Sequence, residues 1–121
     1  MRTIRFDGDD ERKARLFSSM VIVFYNAAPA QSFEQLAAAS ALKKKLQALS
    51  DPIDGNEQSR RLKEGEQRLV LRNTEWDYLK DHLTPPAARW PNSVADDAVE
   101  ILERVREAEQ VAEPQKDEAR A

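Results

Sequence analysis

An apolar residue recurs every three or four positions near the C-terminal end of the sequence, and this repeat is the clearest pattern in the chain. Its spacing is that of one side of an α-helix, and its members are Val94, Ala98, Ile101, Val105, Ala108 and Ala112. The pattern predicts a helix that begins at Asn92 or Ser93 and ends at Pro114. The repeat spans roughly 27 Å of helix axis, about the diameter of a domain of this size. We therefore expect the start of this helix to pack on the core and its C-terminal end to project past it.

The N-terminal half of the chain predicts one strand and two helices. Residues 1–6 alternate in polarity as a strand does, and residues 10–27 carry apolar residues at helical spacing. The second half of that helix, 16–27, is β-branched and aromatic enough to be a buried strand instead. A capping box that begins at Ser32 predicts another helix over residues 32–49.

The middle of the chain predicts a hairpin followed by a short helix. Residues 53–57 read as a polar loop, and residues 58–63 and 67–72 as two strands joined around Gly65, where a tight turn favours glycine. A helix over about 73–83 follows. The sequence thus predicts a mostly helical α+β fold with about four helices and a small antiparallel hairpin, or a three-stranded sheet if the first strand joins the hairpin.

The length of 121 residues predicts one globular domain over residues 1–113, with a flexible polar tail over 114–121. The chain has no cysteine, which excludes disulfides and thiolate chemistry and fits a reducing cytoplasm. Its longest apolar run, which starts at Met20, is far shorter than the roughly 20 residues that span a bilayer, so we expect no membrane association.

Few residues are suited to catalysis or to binding a cofactor. The only histidine, His82, falls in the last turn of a predicted helix, where it is expected to cap the helix end. Neither Gly8 nor Gly55 stands in a loop with the ligand spacing of an EF-hand, and no phosphate, dinucleotide or zinc motif is present. The sequence therefore predicts a protein that is not an enzyme and that has no cofactor or metal.

Two features instead predict contact with another protein or with a second copy of this chain. Trp90 lies in a loop stiffened by prolines on both sides, where it either covers the core or is presented to a partner. The expected projecting end of the last helix would expose an apolar stripe that favours helix pairing. That stripe consists of Val105, Ala108, Val111 and Ala112.

An alternative function is binding of nucleic acid by the basic N-terminal half. Residues 1–72 carry a net charge of +3 and residues 73–121 one of −6. Beside a cluster at Arg12, Lys13 and Arg15, the candidate phosphate contacts are Lys43, Lys44, Lys45, Arg60, Arg61 and Lys63. Acidic residues lie among these clusters and favour a solvated charged surface, so we rank nucleic-acid binding second.

The layout of residues 62–112 resembles that of small accessory proteins from the structural and assembly regions of tailed bacteriophage genomes. In residues 68–80 an apolar strand passes through a capped turn into a helix that carries Glu75 and Trp76, and a terminal helix follows. The resemblance implies a virion component, an assembly factor or a small host-directed protein, located in the cytoplasm or on the virion. It lies in layout alone and assigns no functional residue.

Overall fold

The structure is a computed structural model that describes the backbone of residues 1–120 and the side chains of residues 1–108. Within residues 1–120, four helices and two antiparallel two-stranded sheets confirm the predicted, mostly helical α+β class. The elements are β1 (Arg2–Asp7), α1 (Glu11–Tyr25), α2 (Phe33–Ala48), β2 (Ser50–Ile53), β3 (Asn56–Leu62), β4 (Glu66–Leu71), α3 (Asn73–Leu83) and α4 (Ala95–Arg120). A 3₁₀ turn over Asn92–Val94 leads into α4.

The strands do not pair as the sequence predicts. The expected hairpin around Gly65 is wrong, because β3 pairs with β2 and β4 pairs with β1. The true hairpin joins β2 to β3 through Asp54 and Gly55, whose φ angles of 54° and 77° are both positive, as a type I′ turn requires. Residues 53–57, predicted as a loop, therefore hold a hairpin turn, and the described residues contain no three-stranded sheet.

Gly65 turns the chain from one sheet to the other. It has the predicted positive φ, 87°, and its carbonyl accepts a hydrogen bond from the Gly8 amide at 3.0 Å. A Cβ atom on Gly8 would lie 2.0 Å from the Lys63 carbonyl oxygen. The turn after β1 and the turn between β3 and β4 are therefore packed backbone against backbone, which only glycine permits at Gly8.

Residues 11–25 form a helix, which settles the choice between helix and buried strand. The Asp10 side chain caps α1 by accepting hydrogen bonds from the amides of Arg12 and Lys13. Four side chains with helical spacing are buried on one side of α1: Leu16, Phe17, Met20 and Val21. This side lies against β1 and β3, and the rings of Phe6 and Phe17 meet edge to face at 5.3 Å.

The last helix forms part of the core along its described side chains. The indole N–H of Trp76 on α3 donates to the Val105 carbonyl at 2.8 Å. Val105 and Ala108 are 1% and 2% exposed and belong to the same apolar cluster as Ile4. The expectation that α4 projects from the core at these two residues is therefore wrong. The backbone of α4 continues to Arg120 instead of ending at Pro114, and the flexibility expected of residues 114–121 stays a prediction.

Candidate protein-interaction surface

Helix α2 begins at a well-capped N-terminus. The Ser32 hydroxyl accepts a hydrogen bond from the Gln35 amide at 3.1 Å, and the Gln35 side-chain oxygen accepts one from the Gln31 amide at 2.7 Å. Glu34 in the first turn and Lys45 in the last turn both suit the helix dipole. The alanine-rich middle of the helix adds high intrinsic helix propensity.

Apolar residues lie on two opposite sides of α2. The inner side buries Ala38, Leu42 and Leu46 in the core. The opposite side, which we name the outer face of α2, consists of exposed residues that share one side of a helix: Phe33, Leu36, Ala37, Ser40 and Lys44. A helix with apolar residues on two sides is usually covered on both.

Phe33 and Leu36 are the most exposed large apolar side chains among residues 1–108, at 78% and 58%. They are neighbours on the helix surface because they are three residues apart. Fully burying either side chain would gain roughly 1.5–3 kcal/mol, so their exposure is costly. Sequence reasoning placed the helix correctly but followed only its buried side; the available signal was a Phe and a Leu on the side of α2 opposite Leu42.

A second exposed feature is the hairpin formed by β2 and β3. Residues 51–58 are all exposed, and the hairpin carries Ile53, 36% exposed, at its tip. Its base is held by Arg60, whose guanidinium donates to the Ser50 hydroxyl at 2.8 Å, to the Ser50 carbonyl at 3.0 Å and to the Glu57 carboxylate at 2.6 Å. The Ser18 hydroxyl on α1 donates to the Arg60 carbonyl at 2.7 Å.

The six predicted phosphate-contacting residues differ in their exposure and in their contacts within the fold. Arg60 is 4% exposed, and Lys45 binds the Glu75 carboxylate and donates to the Val70 carbonyl at 2.8 Å. Both cations are therefore engaged within the fold. The other four are exposed, namely Lys43, Lys44, Arg61 and Lys63.

The N-terminal basic cluster is also partly engaged inside the molecule. Arg12 forms an ion pair with Glu100, and Arg15 forms one with Asp97 at 3.2 Å. The Arg12 hydrogen bond is the main cause that holds the pKa of Glu100 below its ordinary value. These contacts join α1 to α4 and reduce the positive charge available to a ligand.

The interaction residues predicted in the loop before the last helix and on that helix fall into three groups. Trp90 is half-buried and packs against the core, and its indole N–H donates to the Leu83 carbonyl at 2.8 Å. Val105 and Ala108 are core residues. Val111 and Ala112 lie outside the residues whose side chains the structure describes.

His82 lies in a groove between α2 and α3. The groove has a volume of about 210 Å³ and is lined in part by Glu34, Asp77 and Asp81. The imidazole is 9% exposed, stacks on Tyr78 at 3.8 Å, and its Nδ1 is 2.9 Å from the Tyr78 carbonyl oxygen. The carbonyl that His82 contacts lies four residues earlier, inside α3, and is not among the last four carbonyls that a capping residue would bind. The side chain of His82 is also buried. Burial also raises the pKa of Tyr78.

Comparisons with protein-family models, with curated proteins and with solved structures found no match to this chain. Among the side chains of residues 1–108, no three His, Cys, Asp or Glu residues form a group that could hold a metal ion. Every helix in the described part of the chain is too short or too polar to cross a bilayer.

Proposed function

We propose that the protein acts without catalysis, by docking onto another protein chain through the outer face of α2. The observation that carries this proposal is the exposure of Phe33 and Leu36 on a capped, well-packed helix. Neighbouring exposed apolar side chains on a regular element typically mark an interaction surface. Phe33 is an aromatic of the kind that anchors interfaces once a partner excludes water from it.

The resemblance in layout over residues 62–112 supports a more specific role. We propose that the partner belongs to a tailed-phage particle or to its assembly, and that the protein acts in the cytoplasm or on the virion. Trp90, Val111 and Ala112 remain proposed contributors to a second contact. Val105 and Ala108 would support such a contact from the core, because their side chains are buried.

Photo-crosslinking tests the docking surface directly. A photoreactive phenylalanine analogue replaces Phe33 in one variant and Val99 in another, in cells that naturally make the protein. Val99 is the matched control because it is 56% exposed on a different helix. We expect a discrete protein adduct from the variant at position 33 that the variant at position 99 does not form. An adduct with a second copy of the chain also counts as such a product. Equal adduct patterns at the two positions would contradict the proposal.

Purified proteins then show whether the contact depends on the apolar side chains. F33Q/L36Q removes them while keeping good helix formers, and V99Q is its control. We expect F33Q/L36Q, but not V99Q, to lose binding to the crosslinked protein. A gel-shift assay tests the alternative function. It compares the binding of duplex and single-stranded nucleic-acid probes by the wild type and by K43Q/K44Q. A tight complex that survives physiological salt and is lost in K43Q/K44Q would favour nucleic-acid binding instead.

A further inference from the structure

We infer that the occupant of the outer face of α2 is the same face of a second copy, with the two α2 helices antiparallel about a two-fold axis. The inference rests on the proposed function, because it names the partner of the same surface. It is carried by the arrangement of charges and side-chain sizes along the outer face.

The charges along α2 are self-complementary in one orientation only. Glu34 lies near the start of the helix, and Lys43 and Lys44 lie near its end, all three exposed. A parallel pair would place lysines against lysines and glutamate against glutamate, which is unfavourable. An antiparallel pair places Glu34 of each copy beside Lys44 of the other, so each favourable contact occurs twice. The antiparallel orientation also opposes the two helix dipoles.

The side-chain sizes fit the same orientation. Ala37 and Ser40 occupy the middle of the outer face, where small residues let two helices approach closely. When Ala37 of one copy faces Ser40 of the other, Phe33 faces Lys44. The alkyl stem of Lys44 can then cover the ring of Phe33, while its ammonium group reaches Glu34 or the face of the ring. Residues 33, 37, 40 and 44 also have the four-three-four spacing of helix pairing.

The area of the outer face sets the expected strength of the dimer. The 16 residues of α2 make a helix roughly 24 Å long. One pair of such helices buries less than the roughly 1,200 Å² at the lower end of stable interfaces. We therefore expect a dissociation constant on the order of tens of micromolar.

Sedimentation equilibrium of the full chain from 5 to about 500 µM, a range chosen to bracket the tens-of-micromolar affinity expected from its small area, tests the inference. We expect the wild type and V99Q to dimerise with similar affinity, and F33Q/L36Q to stay monomeric. E34K and K44E should each weaken the dimer roughly tenfold, because two attractive pairs become repulsive. The double variant E34K/K44E should return to within about twofold of the wild type. Circular dichroism confirms that each variant keeps its helices.

Three results would overturn the inference: a wild type that stays monomeric across this range, a dimer that F33Q/L36Q leaves intact, or a double variant no better than its parents. The last result would exclude the antiparallel pairing in particular. A different result contradicts the proposed function itself: photo-crosslinking at position 33 gives only the adducts that position 99 also gives. A monomeric wild type together with a specific adduct to a different protein would leave the function in place and remove the self-pairing.

Discussion

The buried guanidinium of Arg60 joins the two strands at the base of the exposed hairpin. Arg60 satisfies both the hydroxyl and the carbonyl of Ser50, and the Ser50 hydroxyl in turn donates to the Leu46 carbonyl at 2.6 Å. Because Glu57 is 60% exposed, its ion pair with Arg60 is screened by water and contributes little. The main role of Arg60 is therefore to donate to acceptors that lie away from water.

Replacing Arg60 by alanine should lower the free energy of unfolding by about 2 kcal/mol, because two buried acceptors of Ser50 lose their donors. Urea unfolding measures the change. Arg61→Ala is the matched control, since its side chain is the exposed neighbour, and it should change stability by less than about 0.5 kcal/mol. Equal effects of the two substitutions would show that Arg60 does not anchor the hairpin.

Glu75 is the second residue whose charge matters to the fold. Burial by itself would raise its pKa, but the hydrogen bonds from Lys45 and from the Arg72 amide, with the charges of both residues, lower it below the ordinary 4.5. The ionised form is thus favoured in the folded state. Its stabilising contribution is present above the unfolded pKa and is lost as pH falls through the lower folded pKa.

We therefore expect the unfolding free energy of the wild type to fall as the pH drops below about 4.5, and part of that fall to disappear in Glu75→Gln. Urea midpoints at a series of pH values measure it. Glu64→Gln, which changes an exposed carboxylate, should keep the wild-type pH dependence. If Glu75→Gln keeps the same pH profile as Glu64→Gln, the Lys45–Glu75 contact does not contribute to acid stability.

The places of Lys45 and Arg60 were only partly predictable. Charged residues are usually exposed, so both were assigned to basic surface clusters. Arg60 stands two positions before Leu62, on the same side of a strand as a buried residue, and that alternation points inward. No comparable signal exists for Lys45, because its partner Glu75 is 30 residues away in sequence and comes close only when α2 and α3 pack.

At the scale of the elements, the helices were more predictable than the strand pairing. Helical spacing and caps are local, so α1 and α2 lie within one or two residues of their expected ends. Strand pairing depends on which turn closes, and the sequence offers Asp54-Gly55 and Glu64-Gly65 as competing turns. The first has the stronger two-residue hairpin signature. The second meets the Gly8 turn of a distant strand, which local reasoning does not detect.

Gly55 and Gly8 are needed for different reasons: Gly55 for its positive φ angle, and Gly8 for the close approach of the Lys63 carbonyl. Gly55→Ala places a side chain in open space but at a φ of 77°, so it should cost about 1 kcal/mol. Gly8→Ala places a methyl group against the Lys63 carbonyl and should cost more, about 2–3 kcal/mol. Urea unfolding of both variants checks the order. The reverse order would show that the Gly8 turn relaxes easily.

At the scale of the whole molecule, the charge asymmetry of the sequence is partly used inside the fold. The basic N-terminal half and the acidic C-terminal half meet where Arg12 and Arg15 on α1 pair with Glu100 and Asp97 on α4. The net charges of the two halves therefore overstate the field that a partner would encounter. The exposed charges of α2, Glu34, Lys43 and Lys44, lie outside these pairs and face solvent.

The apolar repeat of the last helix predicts its secondary structure but not its tertiary contacts. The repeat correctly predicts a helix with one apolar side, but its length does not tell how much of that side other elements cover. In the structure, Val105 is covered because β1 and α3 both lie against α4 and Trp76 donates to the Val105 carbonyl. Those contacts join residues about 30 to 100 positions apart, beyond the reach of local spacing. The spacing of the buried residues of α2 likewise predicts its core side, but it does not show that Phe33 and Leu36 lie exposed on the opposite side.

Substitution of Val105 distinguishes a core helix from a projecting one. If the side chain is core, Val105→Ala should lower the unfolding free energy by about 2 kcal/mol, because two buried carbon atoms are lost and a cavity remains. Val105→Glu should destabilise far more, because a carboxylate would enter an apolar site without a partner.

Val99→Ala and Val99→Glu serve as controls on the same helix. Each should change stability by less than about 0.5 kcal/mol, since Val99 is 56% exposed. Thermal and urea unfolding measure all four variants. If Val105→Glu is as stable as the wild type but associates more weakly, α4 is a docking surface after all, and its apolar side must separate from the core in solution.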